Sequence, residues 1–373
     1  MNTPLPFGLP LSTALYMAVY LITLIIHVVF MSYVIAGTGY LAIASAARLR
    51  KGSPASPAFS VLRDWMPAAV SAAVTAGVAP LLLVQILYQK QFYTANLMLF
   101  NRWMSILPVL IVAAYLLYIL KAHALQGKAL LRFVIATTCF ICFAFVGYSW
   151  TENHILSVQS QSNWNAFYAS GSQIYYEPQL VPRLLLWAFG AMPVFIIILG
   201  WQLHWKHHHG QHVAPEHTRR LSLVALTGCA LAGIAAIAWM TIGGALVQRG
   251  IFSSMAGPYA LLAVLAVAAM AWAFYRTLRL GTFTRRWLTL ASAAGGVAVL
   301  GMCMVREAIR VGQLGVALAD TGGLNALFAR HEQAASVSGL LVFLFFFAAN
   351  AAACAACVLL VRSGRTHLTT PDT

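Results

Sequence analysis

One histidine stands in the middle of the first apolar run of the chain, AVYLITLIIHVVFMSYVIAGTGYLAI, where His27 is flanked by isoleucine and valine. An ionisable side chain at membrane depth is costly and usually faces a bundle interior, a cavity or a cofactor. Neutral imidazole is a good axial ligand for haem iron when its other nitrogen is tied to a neighbour. It also serves as a hydrogen-bonding link between helices, and both readings stand. Gly37 and Gly39, just downstream in AGTGY, permit close approach of a helix or a flat ring. Glu307 and Arg310, in GMCMVREAIRVGQ, share a face if the helix runs through them. They suit the anchoring of haem propionates or the passage of protons, and equally a snorkelling pair at the interface. Gln85, in VTAGVAPLLLVQILYQKQFYTAN, suits a quinone carbonyl, a propionate or a neighbouring helix, and Pro80 is expected to bend its segment. His154, in YSWTENHIL, offers a second metal ligand or a solvated interfacial side chain. Arg183 joins Gln85 in a candidate quinone site beside an aromatic outer loop.

The elements that must position these groups follow from composition. Of 373 residues, 61% are hydrophobic and 8% charged, which excludes an ordinary soluble domain. A bilayer core takes roughly 20 apolar residues per helix. Nine stretches qualify, at about 13–46, 66–88, 103–120, 132–151, 180–203, 221–246, 256–275, 287–305 and 335–361. The expectation is an all-α, polytopic membrane helical bundle of about nine transmembrane helices. It forms a single domain over 1–362, with a short cytoplasmic tail at 363–373. The N-terminal MNTPLPFGLPLSTALYM lacks a basic region ahead of its apolar run, so the first helix is expected to remain.

The net charge of +15 sets orientation rather than a nucleic-acid partner. With the N-terminus outside and the C-terminus inside, 16 of the 23 basic residues fall in inner connections and five of the eight acids fall outside. That asymmetry is what the positive-inside rule demands. Two outer connections are long, 152–182 and 306–334, and loops of that length are usually functional or disordered. The inner HWKHHHGQHVAPEHTRR reads as a tether more readily than as a metal site. The pairs Cys139 with Cys142 and Cys354 with Cys357 lie inside apolar runs and read as small packing residues.

Several of these stretches resemble one known family, the haem-carrying large subunit of the cytochrome bd quinol oxidases. The resemblance rests on His27 in the first helix, on Gly77-Val78-Ala79 followed by Gln85 in the second, and on Gly301 followed by Glu307-x-x-Arg310 near a late helix end. It implies nine helices, a b-type haem on His27 near the outer face, and Glu307 and Arg310 placing propionates or protons. The family's second haem-ligating histidine has no counterpart in LVPRLLLWAFG, and its partner methionine is not matched by Met255 or Met270. Its quinol loop shrinks here to VQRGIFSSMAGP, and its third-helix glutamates are missing.

The resulting expectation is a haem-binding, cytochrome bd-like membrane subunit of a respiratory electron-transfer complex in a bacterial inner (cytoplasmic) membrane. Its partners would be other membrane subunits and a periplasmic cytochrome c, and it would be an oxidoreductase subunit if turnover takes place in this chain. The alternative is a haem-free membrane anchor or quinone-interacting subunit that docks extrinsic redox proteins. A proton-coupled transporter with His27 and Glu307 on its path is the third reading.

Overall fold

The computed structural model describes residues 5–51, 56–122, 125, 127–208, 213–334 and 337–367. Its described residues form thirteen α-helices and no strand. In chain order these are α1 (Leu11–Lys51), α2 (Pro57–Leu87), α3 (Gln89–Met98), α4 (Phe100–Lys121), α5 (Ala129–Ser157), α6 (Gln161–Ala169) and α7 (Leu180–His208). There follow α8 (Pro215–Ile242), α9 (Gly244–Ile251), α10 (Gly257–Leu280), α11 (Arg285–Ala317), α12 (Gly323–Ala334) and α13 (Val337–His367). Helices prevail because a segment in lipid must satisfy its own backbone polar groups. Eight of them, among the described residues, are long and apolar enough to cross a membrane. The chain is an all-α, polytopic helical membrane protein.

Local signals set several boundaries. Ser56 caps α2, its Oγ accepting from the backbone N–H of Phe59 at 3.2 Å, with Pro57 in the first turn where no intrahelical donor is needed. Ser160 caps α6 in the same way through Asn163 at 3.3 Å. Gly281 ends α10 in the left-handed conformation, at φ 69°. Pro80 lies inside α2, and the helix runs on to Leu87.

The structure departs from the sequence reading in two places. Of the nine expected crossings, eight are given by the described residues, and the ninth run falls in α13, a 31-residue helix whose described apolar stretch is Gly339–Ala349. The expected tail at 363–373 begins as helix, since α13 reaches His367, and 368–373 lie outside the described residues. The two long connections, 152–182 and 306–334, are largely helical. α5 extends to Ser157 and α6 follows, while α11 carries on through Arg306–Arg310 to Ala317 and is followed by a 3₁₀ turn and α12. The helices outlast their apolar runs because the polar residues that follow are buried against protein instead of facing lipid.

Four antiparallel hairpins dominate the packing, α1 with α2, α4 with α5, α7 with α8 and α10 with α11. The centre is held by α11, α7 and α1, whose most apolar stretches are 56%, 50% and 44% buried, against 17% for the peripheral α4. Because the long helices alternate in direction, the short helices α3, α6, α9 and α12 all fall at one end, where they cap the bundle. The connections at the other end carry most of the basic residues. One apolar core, around Phe59, Met66, Phe195 and Phe274, fills the uncapped half, and a second, around Met17, Tyr88, Phe92 and Phe328, fills the capped half.

Candidate functional site

The capped half contains a buried cluster of polar side chains, termed the chamber below, built chiefly on α11. Three side chains leave that helix within little more than one turn: Arg306, Glu307 and Arg310. Glu307 is 0% exposed and Arg310 2% exposed, so neither is an interfacial snorkelling group. The i and i+3 spacing does place them on one face, but they form no ion pair; both turn to Tyr88, at the junction of α2 and α3. The phenol of Tyr88 donates to Glu307 Oε1 at 2.5 Å, and the Arg310 guanidinium lies 3.9 Å from the centre of its ring. Burial, with the neighbouring carboxylate adding to it, pushes the Tyr88 phenol well above its ordinary range, so it remains a proton donor.

Among the described residues, several of these groups lack partners. Arg310 Nη2 reaches Ser157 Oγ at 3.5 Å, the limit of a hydrogen bond, while its Nε and Nη1 find none. Glu307 Oε2 is likewise buried without a donor. A buried polar atom left unsatisfied costs about 1–3 kcal/mol, and more for charged groups, so such atoms call for an explanation.

α5 contributes its last turns to the same chamber. His154 is 6% exposed, hence not solvated, and its Nδ1 accepts from Arg306 Nη2 at 3.0 Å. A guanidinium can only donate, so Nδ1 supplies the lone pair and the neutral ring carries its proton on Nε2. In this arrangement neither nitrogen of His154 is open to a metal. Arg306 also donates to the Tyr20 hydroxyl on α1 at 3.2 Å. From the start of α7 comes Arg183, 5% exposed, its guanidinium 5.4 Å from the Trp239 ring.

A polar strap closes this end. Glu152, fully buried on α5, pairs with Arg102 of α4 at 2.6 Å and accepts from the backbone N–H of Tyr175 at 2.8 Å. The strap between α6 and α7 is thereby tied to two spanning helices. Gln159 and Gln179 both donate to Glu177, and Trp239 Nε1 donates to Gln179 at 3.3 Å. Trp164 of α6 fixes the start of the strap by donating to the Leu156 carbonyl at 2.8 Å. Beside it α12 packs Phe328 edge-on against Tyr88, and His331 of α12 meets Thr13 at 2.8 Å. A cavity of about 260 Å³ lies outside this contact, lined by Leu9, Pro10, Leu324, Phe328 and Glu332 among others.

His27 sits at the seam of α1 and α2. Its Nδ1 lies 3.0 Å from the Ala73 carbonyl, which can only accept, so Nδ1 bears the proton and Nε2 keeps its lone pair. Gly77, one turn further along α2, faces the ring; a Cβ there would stand 2.9 Å from His27 Cε1. Gly37 serves simple helix packing, its open side filled by Met66 and Phe195. His27 lies within electrostatic reach of Arg306, which places it at the margin of the chamber.

The structure thus gathers His154, Arg183, Glu307 and Arg310 in one region, with His27 beside it, and leaves Gln85 out. Gln85 accepts from the exposed Tyr93 hydroxyl at 3.2 Å, on the surface of the bundle. Arg306, Tyr20 and Tyr88 belong to the site although the sequence did not single them out. The signal for Arg306 was its adjacency to Glu307; Tyr20 is seven residues before His27, two turns along the same face. At the uncapped end, His204 Nδ1 lies 2.7 Å from the Phe283 carbonyl, and the middle of the histidine-rich connection, 209–212, lies outside the described residues. Cys139 is buried in the core, as a packing residue would be, while the side chains of Cys354 and Cys357 lie outside the described set.

Comparison with protein-family models finds no match, and comparison with curated proteins finds none either.

Proposed function

We propose that this chain is a haem-binding, multi-pass membrane subunit of a respiratory electron-transfer complex, similar in layout to the large subunit of the cytochrome bd oxidases. The observation that carries the reading is the set of buried atoms without protein partners, Glu307 Oε2 with Arg310 Nε and Nη1, on the helix that bears the Glu-x-x-Arg of the resemblance. The donor set fits a b-type haem in kind. His27, with Nδ1 held by the Ala73 carbonyl, would hold the iron of such a group through Nε2, the tie to a carbonyl being the usual support of a ligating imidazole. Arg310 offers two free donors to a propionate. Bound haem would supply one-electron transfer at this end of the bundle.

The chain's own residues have definable tasks around such a group. Tyr88 keeps its proton and donates it as a hydrogen bond to Glu307 Oε1, which fixes that carboxylate inside a region closed to bulk water. The strap fastened by Glu152 and Arg102 excludes solvent. The basic connections at the uncapped end support a cytoplasmic position for that end, and hence an outward-facing chamber in a bacterial inner membrane. Electrons would then come from a periplasmic cytochrome c or a neighbouring subunit.

A haem-free, quinone-interacting anchor is the second reading, favoured by Gln85 and Tyr93, a hydrogen-bonded pair on the outer surface of α2 and α3. The two are separated by a reduced-minus-oxidised spectrum of protein made with ample porphyrin, with haem quantified as its pyridine complex. A Soret band lost in His27→Ala, in protein that remains monodisperse, is the expected result. Colourless wild-type protein sinks the haem reading, and quinone binding by that material would establish the second.

A further inference from the structure

Three arginines from two helices converge on the capped chamber with too little negative charge to balance them. Arg310 is almost fully buried, and two of its three guanidinium nitrogens have no partner. Arg306 is held by two neutral groups, the Tyr20 hydroxyl and His154 Nδ1. Arg183 rests on the face of Trp239. Among the described residues, none of the three forms an ion pair; the ion pairs there are Arg63 with Asp64 and Arg102 with Glu152. Of the nearby carboxylates, Glu307, held by Tyr88, lies within electrostatic reach of Arg306, and Glu177, held in the strap by Gln159 and Gln179, within reach of Arg183, so two negative charges face three cations.

We infer that the chamber is a binding site for a small oxyanionic group, a carboxylate or a phosphate, held between Arg183 of α7 and Arg306 and Arg310 of α11. Guanidinium groups present planar forks that match such oxygens in pairs, and desolvated cations without a counter-charge are strongly unfavourable unless a partner arrives. His154 fits this role. It is within electrostatic reach of all three arginines, and by accepting from Arg306 it orients that side chain without adding a charge. Ser157, anchored by donating to the His154 carbonyl at 2.8 Å, offers its oxygen to Arg310 on the far side. A free oxyanion needs only the three cations, whereas the acidic arm of a cofactor rests on the haem reading proposed above. The oxyanion comes either as a free ion from the capped side or as the acidic arm of a larger bound molecule.

The test uses the full chain in lipid nanodiscs. Its unfolding midpoint is followed against inorganic phosphate and succinate, with chloride at matched ionic strength as reference, and against haem b compared with haem b dimethyl ester. A rise with phosphate or succinate beyond that of chloride identifies a free oxyanion. A rise with haem that is lost in its ester identifies the acidic arm of a cofactor. In either case Arg183→Gln and Arg306→Gln should weaken the response by about 10- to 100-fold in apparent affinity, the worth of a charged hydrogen bond. Arg306→Lys, which keeps the charge and loses the fork, should fall between and provides the comparison if a glutamine variant does not fold. No oxyanion-specific rise in the wild type, and no difference between haem and its ester, overturns the inference irrespective of the variants.

Discussion

Tyr88 joins a carboxylate to a guanidinium without itself ionising, and its hydroxyl is the only hydrogen-bond donor that Glu307 has among the described residues. In Tyr88→Phe both Glu307 oxygens are buried without a donor, at a cost of about 1–3 kcal/mol. The unfolding midpoint in detergent should drop, and Tyr88→Phe combined with Glu307→Leu should recover part of the loss; an unchanged midpoint in the single variant refutes the assignment. Gly77 is tested by Gly77→Ala. The new methyl group would lie 2.9 Å from His27 Cε1 and force the ring off the Ala73 carbonyl or the helices apart, an overpacking cost of about 1–3 kcal/mol. Calorimetry should register that loss, and the haem reading adds a fall in the Soret-to-protein ratio. At this scale His27, Glu307 and Arg310 could be singled out in the sequence because ionisable groups stand out against apolar runs. Tyr20 and Tyr88 were invisible, since tyrosine is commonplace near membrane interfaces, and Arg306 passed for a loop charge because the apolar run ends at 305.

The elements at the capped end were the least legible. α6 has nine residues and α12 twelve, each with too little apolar patterning to distinguish it from a polar connection. Their positions depend on distant side chains, such as Arg102 and Glu152, whose pairing no local pattern announces. Glu152→Gln should therefore loosen the strap, raising amide hydrogen exchange over 159–179 with little change in α1 or α7. Uniform protection across that segment would disprove the fastening role. α12 adds a pH response. Burial lowers the affinity of His331 for protons, with Glu332 opposing the effect, so the folded α12 holds fewer protons than the undocked one. Docking is then fully stable above the ordinary histidine range and weakens as pH falls through it, roughly from 6.5 downward. Exchange in 323–334 should rise on acidification and lose that dependence in His331→Asn.

For the molecule as a whole, composition revealed a polytopic bundle but not its centre. The helix most deeply buried, α11, is less apolar than the peripheral α4, because α11 spends part of its surface on charged groups buried against its protein neighbours. Hydropathy ranks lipid compatibility; centrality follows from which helices have several partners, and that is a property of packing. The same arrangement puts all four short helices at one end and the chamber just where the apolar stretch of α11 stops. A charge entering from that side crosses little of the membrane's electric field, whereas one from the opposite side crosses most of it, at about 2.3 kcal/mol per elementary charge for each 100 mV. Uptake of the proposed oxyanion through the near side should therefore be unchanged when proteoliposomes are polarised.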